Sequence, residues 1–329
     1  MLDKPEILTQ RLFFREAVTR AVREEMTLDH HVMVMGQDVG AFGGSYREFD
    51  GLYNLFGPAR VRDTPVAEAA SIGIAAGAAA AGYRPIVSIT YMDFLMLGFD
   101  ALINYAAKLR YKTAGRLNAP LVVKTTAGAQ GQGVAHSQCI ESWLMSVPGL
   151  KIVAPSTPAD AYGLMKSALR DDGPVVYIDH KRLFPTPGDV TVEEEFIPFG
   201  KASIRREGTD LTLVTHGYMT RVALQAAQLL ENEGIWCEVI DLRSLAPLDI
   251  PCVAASVSRT GRLLTLEEGQ SVCGVGTEVA CQTFERIGPR PWKRLGALRA
   301  PVSSNPVLEA ACIPDAPRVA AMARAVLEL

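Results

Sequence analysis

Asp63-Thr64-Pro65-Val66-Ala67-Glu68-Ala69-Ala70-Ser71-Ile72-Gly73 is the stretch on which the reading of this chain turns. A short strand-like approach ends in a proline turn. One carboxylate, Glu68, then stands before a run of small and apolar residues that predicts a helix over 72–81. A carboxylate facing an apolar helix start is costly unless it has a partner. Such a group tends to hold or pass a proton in a functional site. The same eleven residues also admit a plainer reading, a helix-terminal Glu stabilised by the macrodipole. The rest of the chain has to decide between the two.

Outward from this stretch, strands alternate with helices. Residues 31–36, 86–90, 121–125, 151–154 and 175–178 read as short apolar strands, and 13–26, 99–111 and 159–170 as helices, the last capped near Ser156 or Thr157. This alternation predicts an α/β fold with a mostly parallel sheet. A Pro-, Gly- and acid-rich break begins at Phe184 and ends at Gly200. We read 1–184 as one domain, 185–200 as a linker and 201–329 as a second, smaller α/β domain. In the second, 211–215, 236–241 and 262–267 are predicted strands, and 220–233, 250–259, 275–287 and 316–329 predicted helices.

Composition narrows the function classes. The chain has 329 residues, 48% apolar and 21% charged, as expected for a soluble protein with large cores. Its net charge of −3, with Lys and Arg scattered, gives no basis for nucleic-acid or anionic-membrane binding. The six cysteines form no C-x-x-C pair and no zinc-finger spacing, and read as reduced thiols of a cytoplasmic protein. Residues 1–6 lack an apolar signal region, and no apolar run is long enough for a membrane span. A Rossmann fingerprint is a poor fit, because Gly274-Val275-Gly276 has no third glycine at the right spacing.

Two further residues join Glu68. Phe94, in Tyr91-Met92-Asp93-Phe94, follows the strand after the Glu68 helix; an aromatic face suits a flat heteroaromatic ring, although a core role is the ordinary expectation. His136, in Gly131-Gln132-Gly133-Val134-Ala135-His136-Ser137-Gln138, sits among small residues where it can reach a ligand and titrate near neutrality. His30, His31, His180 and His216 are assigned no role, His180 being the least secure of these because it follows a strand end.

Together these passages resemble the β subunits of thiamine-diphosphate-dependent 2-oxoacid dehydrogenases. The likeness runs along nearly the whole chain, through Phe56-Gly57-Pro58-Ala59-Arg60, Pro148-Gly149-Leu150-Lys151, Arg170-Asp171-Asp172-Gly173-Pro174, Asp241-Leu242-Arg243 and Glu267-Glu268-Gly269. It implies a transketolase-like pyrimidine-binding domain followed by a transketolase C-terminal-like domain. It further implies that Glu68 hydrogen-bonds the cofactor's aminopyrimidine, that Val66 and Phe94 flank it, and that His136 faces the substrate and assists acyl transfer to a lipoyl group. It also implies a K⁺ held by backbone carbonyls at Leu121, Ala168, Leu169, Asp171 and Gly173.

The Gly-Asp-Gly motif that holds diphosphate and Mg²⁺ in thiamine enzymes is absent; Gly188-Asp189-Val190 is the nearest string. The resemblance therefore implies that an α subunit supplies the diphosphate end and Mg²⁺, in an α₂β₂ assembly. Two positions depart from the family pattern. Gln37 and Ser88 stand where acidic residues are usual, and we expect them to lie near each other or on one network linking paired active sites. The favoured reading is a β subunit of a 2-oxoacid or acetoin dehydrogenase component serving a lipoyl acyltransferase. The alternatives are half of a split transketolase-like carboligase and a non-catalytic homologue.

Overall fold

The computed structural model describes residues 9–191 and 195–328. The signal-peptide reading of residues 1–6, part of the linker (192–194) and Leu329 lie outside the described residues. The first half of the chain runs β1 (Thr9–Phe13), α1 (Phe14–Leu28), β2 (Val32–Gly36), α2 (Leu52–Phe56), β3 (Val61–Asp63), α3 (Glu68–Ala80), β4 (Arg84–Ile89) and α4 (Met92–Leu95). It continues through α5 (Leu109–Lys112), β5 (Val122–Ala127), α6 (Glu141–Met145), β6 (Lys151–Val153), α7 (Pro158–Arg170), β7 (Val175–His180) and β8 (Pro187–Thr191). The second half holds β9 (Ser203–Arg206), β10 (Leu211–Thr215), α8 (Met219–Glu231), β11 (Cys237–Asp241), β12 (Ser244–Ala246) and α9 (Ile250–Thr260). It ends with β13 (Leu263–Gln270), α10 (Val275–Ile287), β14 (Trp292–Ala297), α11 (Pro306–Cys312) and α12 (Ala316–Leu327).

The α/β reading holds. A seven-stranded sheet has the order β12-β6-β7-β5-β4-β2-β3, and a five-stranded sheet the order β14-β13-β10-β11-β9. Within these two sheets every pairing is parallel except those of the edge strands β12 and β9. Buried on both faces, β5 and β7 are unexposed along their length, as expected for parallel strands covered by helices. The strand β12 comes from the second half yet closes the edge of the first sheet beside β6. Part of the proline-rich break is also ordered: β8 pairs antiparallel with β1.

The helix α3 begins at Glu68, four residues earlier than predicted, so Glu68 lies in its first turn. Its Ser71, Ile72, Ala75, Ala76 and Ala79 are buried, and its small residues let neighbours approach closely. A Cβ added at Gly98 would lie 2.3 Å from Ile72 Cδ1. Likewise Gly36, at φ +155°, brings β2 so near β4 that a Cβ there would lie 2.7 Å from the Ser88 carbonyl oxygen. The predicted helix over 99–111 is instead a π-helical stretch, Asp100–Ala106, followed by the short α5. Its wider turn is visible in the bond from Ala107 N to Leu102 O. Among the described residues no helix is long and apolar enough to cross a membrane. All six cysteines are unpaired.

Candidate functional site

The carboxyl ends of β2, β3 and β4 converge on one cavity of about 230 Å³. Ligands of parallel α/β sheets bind at such ends, where loops rather than regular structure supply the lining. Gln37 follows β2, Thr64 to Ala67 follow β3, and Ser88 to Tyr91 span the end of β4. Glu68 and Ser71 enter from α3, Phe94 from α4, and His136 from the loop after β5. The cavity thus gathers Val66, Glu68, Phe94 and His136, residues separated by up to 70 positions. Gln37 and Ser88 line it too, with Gly36 directly paired to Ser88 across the sheet. Their proximity to each other matches the expectation, and their neutrality leaves Glu68 as the carboxylate of the lining.

His136 is half-buried and held between two rings. Tyr91 meets it edge-to-face with centroids 4.6 Å apart, and Phe94 does so at 5.3 Å. Gln132 Nε2 donates to the Tyr91 hydroxyl at 3.4 Å. Phe94 is therefore only partly a core residue: it forms a wall of the cavity and packs against the imidazole. Val66 is 68% exposed at the cavity rim.

Two of the other histidines, His180 and His216, are buried. His180 is buried, stacks on Tyr218 at 4.8 Å, and shares a 2.8 Å contact with Glu268 of the second sheet. Burial and the neighbouring His180 outweigh Glu268 and pull His216 down to about 4. His30 and His31 lie with Asp29 on the surface, their ligand atoms within 4.8 Å of one another. Around Glu268 other acids are held in nonpolar surroundings. Burial raises Glu141 to about 7, and raises Glu267 to about 7 although it accepts from Val275 N and Gly276 N. No motif in the sequence marked Glu141, and Glu267 stood in a matching piece of the resemblance without an assigned role.

The five residues expected to hold a cation also come together, at the opposite end of the sheet. There Arg84 Nη1 donates to the carbonyls of Leu169 at 3.2 Å and Asp171 at 2.9 Å. Leu121 O accepts from Val175 N and Ala168 O from Asp171 N. The Asp171 carboxylate takes Lys151 Nζ at 2.6 Å and Gly173 N at 2.7 Å. Each carbonyl oxygen has a second lone pair, so these bonds leave acceptor capacity, beside a guanidinium that already supplies positive charge.

Fold and cavity define a class: a two-domain α/β protein that offers a lone carboxylate and aromatic walls at the ends of parallel strands. Residues 10–187 match the transketolase pyrimidine binding domain, and residues 200–319 the transketolase C-terminal domain. The chain is 38% identical to the acetoin:2,6-dichlorophenolindophenol oxidoreductase subunit beta of Cupriavidus necator, over 96% of this chain and 98% of that one. It is 42% identical to pyruvate dehydrogenase E1 component subunit beta-1, mitochondrial, of Oryza sativa subsp. japonica, covering 92% of this chain and 83% of that one. Against the 2-oxoisovalerate dehydrogenase subunit beta of Bacillus subtilis (strain 168) it is 42% identical, covering 80% and 82%. A solved split-gene transketolase, described as an inactive beta4 tetramer, superposes with a TM-score of 0.80 at 25% identity, covering 96% and 98%. The chain belongs to the family of E1 β subunits of 2-oxoacid and acetoin dehydrogenases.

Proposed function

We propose that this chain is the β subunit of a heteromeric thiamine-diphosphate-dependent 2-oxoacid or acetoin dehydrogenase component. The observation that carries the reading is the meeting of Glu68, Phe94 and His136 in one cavity beyond the strand ends. The lining fits an aminopyrimidine: a carboxylate for a ring nitrogen, an aromatic wall for a flat ring, and hydroxyls of Thr64, Ser71, Ser88 and Thr90 nearby. When bound, thiamine diphosphate would supply a nucleophilic carbon and an electron sink for cleavage beside a carbonyl. Glu68 shares its proton with the pyrimidine and so favours the form of the ring that can activate that carbon. Val66 and Phe94 keep the ring in place and exclude water. His136 holds or gives a proton at an imidazole nitrogen facing the substrate, and supports transfer of the acyl group to a lipoyl partner.

The missing Gly-Asp-Gly supports an α subunit as the holder of Mg²⁺ and the diphosphate, and the reading takes the two chains as an α₂β₂ assembly in the cytoplasm. A K⁺ at the carbonyls of Leu121, Ala168, Leu169, Asp171 and Gly173 belongs to the same reading. The second reading, a split carboligase without lipoyl transfer, draws on the likeness to the split-gene transketolase and on neutral Gln37 and Ser88 in the cavity. The test is co-purification with the α subunit, then assay with thiamine diphosphate, Mg²⁺ and an artificial electron acceptor against pyruvate, branched 2-oxoacids and acetoin. Turnover requiring both chains supports the dehydrogenase. Carbon–carbon bond products from an added aldehyde, without acceptor reduction, support the carboligase.

A further inference from the structure

The loop that carries His136 has no helix or strand between β5 and α6. Gly128, Gly131 and Gly133 all adopt positive φ within it. Its backbone is tied down instead by side chains from elsewhere. Glu268 accepts from Ala129 N at 2.8 Å, Glu309 from Gly131 N at 2.6 Å, and Asp93 from Gln138 N at 3.2 Å. These three carboxylates hold amide hydrogens. Two of the carbonyls are held by one side chain, the Lys181 ammonium, which donates to Gly128 O at 2.7 Å and to His136 O.

Lys181 is 1% exposed and stands just beyond the end of β7. Burying an ammonium is costly, and burial here pulls its pKa below the ordinary lysine value against the nearby charges of Asp93 and Glu268. Its Nζ also lies 5.0 Å from the centre of the Tyr91 ring, the ring whose edge-to-face contact fixes the His136 imidazole. One buried cation therefore grips both the backbone of His136 and one wall beside it. It does not itself line the cavity.

We propose that Lys181 is a positioning residue for His136: it sets the imidazole's place in the cavity by holding the His136 carbonyl and the Tyr91 ring. The proposal rests on the role assigned to His136. Displacing a catalytic group by about an ångström costs on the order of 10²-fold. Loss of the ammonium therefore lowers the His136-dependent step without touching the groups that bind the cofactor.

The experiment uses the chain reconstituted with its α subunit, as wild type, Lys181→Met, His136→Gln and the double variant. Lipoamide serves as the acyl acceptor. The expected result is a kcat lowered about 10–100-fold in Lys181→Met with KM nearly unchanged, partial recovery in Lys181→Arg, and no further loss when Lys181→Met is added to His136→Gln. Equal losses from Lys181→Met in the presence and absence of His136, or a wild-type kcat in Lys181→Met, would overturn the proposal. Hydrogen exchange is the readout independent of turnover. Amides of residues 133–138 should exchange at least about 10-fold faster in Lys181→Met while those of β10 stay protected; unchanged exchange in the loop overturns the proposal. If the wild type turns over nothing, the functional reading fails and the exchange comparison still decides the positioning role. Lys181→Gln, which keeps a neutral donor, replaces the Met variant if the latter does not fold.

Discussion

Removing the Lys124 ammonium should destabilise the first domain severely, and the loss should depend on pH. Lys124 lies on β5, 1% exposed, with Nζ 2.6 Å from Asp179 Oδ2 and 3.2 Å from Glu48 Oε1. Both carboxylates are also buried, at 0% and 2% exposure. Neither Asp179 oxygen has an aligned hydrogen-bond donor, so the charge of Lys124 is the main offset to its burial. Burial still wins, and Asp179 is pushed up to about 6 although Lys124 pulls the other way. In Lys124→Met two buried carboxylates lose their cation, which typically costs about 3–5 kcal/mol. A carboxyl whose folded pKa is above its unfolded value binds protons more tightly when native. Stability therefore falls as pH rises from about 4 to about 6 and levels off above that. Without Lys124 the Asp179 carboxyl holds its proton more strongly still, so the penalty should be largest near pH 8 and shrink toward pH 5. Urea unfolding of wild type, Lys124→Met and Lys124→Met/Asp179→Asn at both pH values measures this, and the double variant should recover part of the loss. A Met variant within about 1 kcal/mol of wild type at pH 8, with no pH dependence, would refute the reasoning.

Gly128→Ala should destabilise by more than about 2 kcal/mol, since φ is +89° and a Cβ would land 1.8 Å from His180 Nε2; thermal unfolding reads the loss. Glu267, raised to about 7 by burial, makes stability fall as pH rises from about 4.5 through 7, and Glu267→Gln should flatten that slope in urea midpoints taken at pH 5, 6 and 8. If a K⁺ occupies the carbonyl group near Arg84, thermal midpoints should be higher in KCl than in choline chloride at equal ionic strength. Identical midpoints would remove the ion from the account.

The sequence was most legible where one physical rule dominated. The strand Leu211–Thr215 and the helix Val275–Ile287 came out with the bounds expected, because continuous apolar runs and helical spacing fix them locally. The helix at Glu68 starts before the run 72–81 because Ala69 and Ala70 are good helix formers that extend it toward the N-terminus. Strand β12 could not be foreseen, because its pairing with β6 joins residues about 90 positions apart and leaves no local signal. The same holds at the site. Glu68, Phe94 and His136 were visible through their motifs, whereas Lys181, Glu268 and Glu309 act on the His136 loop through tertiary contacts that no spacing reveals.

The central claim is that Glu68 is the proton partner of a cofactor shared with an α subunit. The most direct measurement is turnover of the reconstituted complex with wild-type chain and with Glu68→Gln, at saturating thiamine diphosphate. A glutamine keeps the size and loses the proton. The account predicts a fall in kcat of about 10²–10⁴-fold with the assembly intact. Turnover within a few-fold of wild type would contradict it.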